Sequence, residues 1–170
     1  MMNKIEYGLS ECHYSIYTKN GYSTPVKIAG AVSLSLSSNI KEVTKKIKGI
    51  DYAIGYSGSG YTGTLEMINI PDYFLCDVMG HIKDDNGILK ETQIKKTVHF
   101  ALLHEIKGDY EKKRICWYNC ICRPFDYSKA QQFESVKIPI IVTPKNNIIK
   151  SICKKSDGDI YNNWFNEVYL

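Results

Sequence analysis

Residues 61–87 read YTGTLEMINIPDYFLCDVMGHIKDDNG, and this run prescribes a strand, one short helix and a hairpin turn, in that order. Residues 62–70 are rich in Thr and Ile with no break before Pro71, which suits an extended segment. Pro71 fits the first helical position, where its missing N–H would have no partner anyway, and Asp72 then lies against the positive helix end. Phe74, Leu75, Val78 and Met79 recur at helical spacing and give the helix one apolar side. Gly80 can take the left-handed conformation that ends it, and Asp84-Asp85-Asn86-Gly87 supplies the turn. The run is architecture and carries no catalytic chemistry.

Strand signals dominate elsewhere. Val32, Leu34 and Leu36 alternate with serines, and Val136, Ile138, Ile140 and Val142 repeat that half-buried rhythm. Pro139 donates no ladder bond, so its strand is expected at a sheet edge or beside a bulge. Residues 98–106 and 115–122 are apolar at both parities, so both faces of those strands should meet protein. Turn chemistry recurs at Asn20-Gly21, Gly108-Asp109, Asn146-Asn147 and Asp157-Gly158. The expected class is mainly β, an antiparallel sandwich or barrel. A short C-terminal helix should carry Ile160, Trp164 and Val168 on one side, with Tyr161, Phe165 and Tyr169 beside them. Residues 38–60 are the least regular stretch, lysine-rich at first and glycine-rich later, and read as a long loop.

A chain of 170 residues suits one domain and buries roughly 70% of its unfolded surface. No apolar stretch reaches membrane-span length, and the segment MMNKIEYGLS lacks the apolar centre of a secretory signal, so cytoplasmic synthesis is expected. Cys116, Cys120 and Cys122 share strand parity, but their spacing with no nearby His does not form a usual zinc site. The six cysteines read as free, small core side chains. The net charge of +4 is mild, and the lysines at 41, 45, 46 and 48, at 95–96 and at 112–113 read as solvated faces.

The only glycine-rich loop, residues 55–60, is followed by a strand and has no Lys-Ser/Thr pair, so it does not form a phosphate cradle. His99 and His104 differ in strand parity, as do Cys12 and His13, so neither pair forms a nucleophile–base couple. No enzyme, metal or cofactor is expected. Thirteen tyrosines, two tryptophans and five phenylalanines exceed what one small core needs. Such residues suit surfaces where protein meets protein. The candidates for self-association are Tyr14 and Tyr22 near the start, and Lys45, Lys46, Tyr52, Tyr56 and Tyr61 in or beside the irregular stretch. Pro139 and Trp164 complete the set. Exposed rings could equally stack sugars, so a carbohydrate-binding β-sandwich is the alternative reading.

Gly60-x-x-Gly63-Thr64-Leu65-Glu66, Ile70-Pro71-Asp72-x-Phe74, Asp77-Val78-x-Gly80 and Asp85-Asn86-Gly87 resemble the major tail tube proteins of long-tailed bacteriophages. The similarity extends in order along most of the chain. Glu6-Tyr7-Gly8-Leu9, His13-Tyr14, Gly21-Tyr22-x-Thr24-Pro25-Val26 and residues 30–37 precede that run. Phe100-Ala101-Leu102-Leu103, Tyr118-Asn119-Cys120, Arg123-Pro124, Tyr161-x-Asn163-Trp164 and Val168-Tyr169 follow it.

The resemblance implies a β-sandwich or barrel with a flanking helix, forming hexameric rings that stack into a hollow tube. It implies an N-terminal arm at about residues 1–12 and a loop at about 38–60 that reaches the adjacent ring. The lysine-rich half of that loop departs from the family's pattern. The implied partners are further copies of the chain, the tape measure and other tail proteins. DNA would slide past an acidic lumen without specific binding, the lysines of residues 41–48 pointing outward or into ring contacts. The implied location is the virion tail, with no membrane involvement.

Overall fold

The first strand, β1 (Lys4–Thr18), is long enough to serve several neighbours. The structure is a computed structural model that describes residues 4–93, 96–125 and 135–170, with backbone alone at 4–7 and 53–54. After β1 come β2 (Gly21–Tyr22), β3 (Val26–Lys27), β4 (Ala31–Ser38), β5 (Lys41–Ile47), β6 (Ile50–Ser57) and β7 (Tyr61–Met67). Helix α1 (Asp72–Met79) follows, then the small strands β8 (Ile82–Lys83) and β9 (Leu89–Lys90). Strands β10 (Phe100–Ile106), β11 (Arg114–Cys122), β12 (Val136–Thr143) and β13 (Lys150–Cys153) lead to a 3-10 turn and helix α2 (Asp159–Asn163). The protein is mainly β and antiparallel, with two short α-helices among the described residues.

Pairing closes the main sheet on itself. The order runs β10–β1–β4–β7–β12–β11, and β11 pairs back to β10. Closure removes the open edges that a flat sheet would present. Strand β13 takes over the edge of β11 at residues 114–117, where β12 no longer pairs with it. Residues 4–8 pair with β4 and residues 9–16 with β10. From Lys4 onward, therefore, the expected N-terminal arm is part of the barrel wall, while its first three residues lie outside those described.

Inside the barrel, Leu34 and Leu36 of β4, Leu65 and Met67 of β7, and Ile138, Ile140 and Val142 of β12 form one core. Helix α1 adds Phe74 and Val78 to it and ends at Gly80 with φ +78, as its sequence requires. Pro71 serves as the N-cap in extended conformation, one place before the predicted position. The Asp84 turn forms between β8 and β9, its Oδ1 accepting the N–H groups of Asn86 and Ile88. Gly63 lets β7 press against β4, because a Cβ there would lie 1.7 Å from the Ser35 carbonyl oxygen.

A second apolar cluster lies on the other face of β10 and β11. Ala101, Leu103, Cys116 and Tyr118 are covered there by Tyr161 and Trp164, which explains strands apolar at both parities. Cys120 departs from the predicted parity. Between Trp117 and Cys120, β11 carries one residue more than the facing part of β10, a bulge that turns Cys120 into the barrel while Cys116 faces out. A bulge also ejects Val32, which is exposed although Leu34 and Leu36 are buried.

Two further expectations are corrected. Pro139 is neither at an edge nor beside a bulge, since β12 runs between β7 and β11. Its carbonyl accepts from the Arg123 N–H just past the end of β11, and its ring nitrogen faces the same way, where the ladder has ended. Helix α2 is only five residues long, and it buries Tyr161, with Trp164 buried at its C-cap, whereas Ile160 is 41% exposed.

Candidate self-association surface

Strands β5 and β6 form a separate two-stranded sheet that continues the β4–β7 ribbon beyond the barrel. Ser38 pairs with Tyr61, Asn39 donates to the Gly60 carbonyl, and pairing resumes at Lys41 opposite Ser57. Lys48 at φ 50 and Gly49 at φ 81 make the two-residue turn, the left-handed pair that matches strand twist. At about 3.3 Å per residue, the seven residues of β5 span roughly 20 Å. The predicted irregular loop is thus a β-hairpin arm, with one bulge where Val43 pairs with Gly55 and Thr44 with Ala53.

Its two faces differ. Ile47 opposite Ile50, and Lys45 opposite Tyr52, share one face with Val43. Lys46 opposite Asp51, and Glu42 opposite Tyr56, occupy the other, where the Lys46 ammonium lies 3.9 Å from the Asp51 carboxylate. Ile47, Ile50 and Tyr52 are each about half exposed and Tyr56 is 80% exposed. Both outer edges of this sheet are unpaired among the described residues. A lone two-stranded hairpin is marginal in water, so the arm has little stability of its own beyond its anchor in the barrel. Lysines along an open edge are a usual guard against indiscriminate strand pairing, which accounts for the charge of this segment.

Four of the nine candidate residues come together here: Lys45, Lys46, Tyr52 and Tyr56. The other five belong to the subunit's own packing. Tyr14 is 1% exposed and donates to Asp77 Oδ2 at 2.6 Å. Tyr22 donates to the Tyr118 carbonyl at 2.6 Å, and Tyr61 meets Trp117 edge-on at 5.1 Å between ring centres. Pro139 sits inside the barrel wall and Trp164 is 2% exposed. Tyr14 and Trp164 offer almost no surface to another copy. Ile47 and Ile50 escaped the sequence reading, although the Val43-x-Lys45-x-Ile47 alternation before Lys48-Gly49 is a hairpin signal.

The C-terminal segment is pinned to the barrel by charge as well as packing. Arg114 donates through Nε to Glu105 at 2.8 Å and through a terminal nitrogen to the Tyr161 carbonyl at 2.6 Å, its guanidinium lying over the Tyr161 ring. Glu105 also accepts from Tyr161 and Ser10. Burial raises the Glu105 carboxyl, but these hydrogen bonds and the Arg114 charge outweigh it and hold it below the usual carboxylate range.

Burial pushes the thiols of Cys12, Cys116 and Cys120 up, so they stay neutral. His104 is fully buried and accepts from the Trp117 indole at 3.1 Å, and burial followed by the Lys150 charge lowers it to about 3. His99 bonds Asn119 through Nδ1. Among the described residues no cluster of three or more His, Cys, Asp or Glu could hold a metal ion, and no helix is long and apolar enough to cross a membrane. Lys95 of the Lys95–Lys96 cluster lies outside the described residues.

Comparison with protein-family models, with curated proteins and with solved structures finds no match to this chain.

Proposed function

We propose that this chain is a self-assembling structural subunit, the major tail tube protein of a long-tailed phage or of a phage-derived particle. Copies form hexameric rings, and the rings stack into a hollow tube that conducts DNA. The observation that carries this reading is the β5–β6 arm, paired from Lys41 to Ile50 through one bulge yet exposed on both faces and both edges. Such an arm is a poor investment for a monomer and a ready contact between copies. Because the barrel uses up its own edges, ring closure by barrel-edge pairing is replaced by contacts through the arm and the last strand, β13.

Stacking of one closed ring on the next is a separate head-to-tail contact that does not close, so it propagates into a filament. The arm's lysines lie in ring-to-ring contacts, and carboxylates line the bore so that phosphates slide past. The tape measure and other tail proteins set where growth starts and stops.

Negative-stain microscopy of the purified, concentrated protein tests the reading. Rings or tubes are expected from the full chain, and monomeric barrels from a variant in which a short Gly-Ser turn replaces residues 41–57. A full chain that stays monomeric at millimolar concentration, or an arm-less variant that still forms tubes, overturns it.

A further inference from the structure

Resting on the self-assembly reading, we infer that the arm of one copy docks in a groove on the C-terminal segment of the next. That groove is about 190 Å³ and is lined by Asp159, Ile160, Asn163, Trp164, Glu167 and Tyr169. Ile160 is 41% exposed and Tyr169 50%, so apolar surface lies beside two exposed carboxylates. Neither Asp159 nor Glu167 takes part in a salt bridge among the described residues.

Charge supplies the choice of occupant. Residues 157–170 hold three carboxylates and no lysine or arginine, whereas residues 41–57 hold four lysines against two carboxylates. The arm's tip also brings the matching apolar groups, Ile47 facing Ile50 with Lys45 and Tyr52 next along the same face. Surfaces that pair opposite charge around an apolar centre favour this partner and penalise like-charged ones.

Trp164 forms the floor of the groove at 2% exposure, so it shapes the groove without offering surface of its own. Tip and groove are different patches, so the contact is heterologous and polar in direction.

Charge reversal in the full chain tests this. Asp159→Lys/Glu167→Lys and Lys45→Glu/Lys46→Glu alter exposed side chains, so each variant should keep the wild-type circular dichroism spectrum and melting temperature. Each alone is expected to raise the critical concentration for tube growth about tenfold, as two lost surface ion pairs and two new repulsions allow. Mixed in equal amounts they should grow tubes again, because every arm then finds a groove of opposite charge.

Tubes unchanged by groove reversal but lost on deleting the arm would assign the groove to another partner and overturn this docking, leaving the self-assembly reading intact. Tubes formed without the arm would overturn both. Failure of the mixed variants to complement overturns the docking alone.

Discussion

The barrel wall and the arm are successive lengths of one ribbon. In the wall, Leu34, Leu36, Leu65 and Met67 of β4 and β7 have no exposed surface at all. A few residues further along, Ile47, Ile50 and Tyr52 of β5 and β6 are about half exposed, on the same antiparallel ladder. Local chemistry is similar in the two halves, since both are β-pairing segments with apolar side chains on one face. What separates them is whether the rest of the chain supplies a second layer. The wall curls until it meets itself and α1; the arm leaves the rim before anything can cover it. Burying three such half-exposed side chains is worth on the order of 3 kcal/mol, which the isolated subunit forgoes and the proposed assembly would recover.

Glycine substitution breaks the comparison most sharply. A Cβ at Gly63 in the wall would lie 1.7 Å from the Ser35 carbonyl oxygen and 2.9 Å from the Leu36 Cα, with backbone on both counts and no side chain able to move aside. Gly63→Ala is expected to cost about 4 kcal/mol or more and to leave little folded protein at 37 °C. Gly55 in the arm has open space around it, and Gly55→Ala should change the urea midpoint of the monomer by less than the scatter of the measurement. Equal midpoints for the two variants would remove the distinction between wall and arm.

Acid sharpens it next. Burial keeps His104 neutral in the wall down to about 3, while in the unfolded chain the imidazole takes up its proton near the ordinary 6.5. The unfolded state binds more protons between those values, so barrel stability is full above pH 6.5 and falls by up to about 1.4 kcal/mol per unit as pH drops towards 3. Chemical denaturation monitored through Trp117, which donates to His104, should show this slope, and His104→Gln should flatten it. A slope unchanged in that variant would assign it to other groups.

How much of this was legible follows the range of each signal. Helix α1, its Gly80 cap and the Asp84 turn are written in neighbouring residues and form as the sequence requires. Leu34, Leu36, Ile138 and Ile140 alternate over a few positions and are buried accordingly. Bulges were not legible, because the extra residue in β11 is set by how β10 and β11 align, and it sends Cys116 and Cys120 to opposite faces. The arm read as irregular because its turn is Lys48-Gly49, not Asn-Gly, and its lysines mask the alternation. Aromatic identity misled at Tyr14 and Trp164: a buried Tyr whose hydroxyl reaches Asp77 looks, in sequence, like one held for a partner. The α2 face turned away from Ile160 because Arg114 holds Tyr161, a contact 47 residues apart.

Between wall and arm in firmness lies the C-terminal segment, which bears on both. Glu105→Gln removes the charge that holds Arg114 and Tyr161 together and should cost about 1–2 kcal/mol. Because the Glu105 carboxyl sits below its ordinary 4.5 in the folded protein, its contribution is present above that value and is lost as pH falls through the lower folded one. Limited proteolysis after residue 158 should therefore accelerate in the variant at neutral pH and in the wild type only below about pH 4.5. If cleavage is equally slow in both, packing of Tyr161 and Trp164 alone suffices to hold the segment.

The smallest effect on the subunit should accompany the largest effect on assembly. Ile47→Ser/Tyr52→Ser changes side chains that touch little else in the monomer, so stability should shift by under about 0.5 kcal/mol. Hydrogen exchange reads the contrast directly. In the monomer, amides of β5 and β6 should exchange orders of magnitude faster than those of β4 and β7, since local opening of the arm exposes no core. In assembled wild-type protein the arm's amides should slow towards those of the wall, and in the double variant they should stay fast because few tubes form. An arm as well protected in the dilute monomer as the wall would mean that the ribbon is stable by itself, and the argument that its exposed face awaits a second copy would fall.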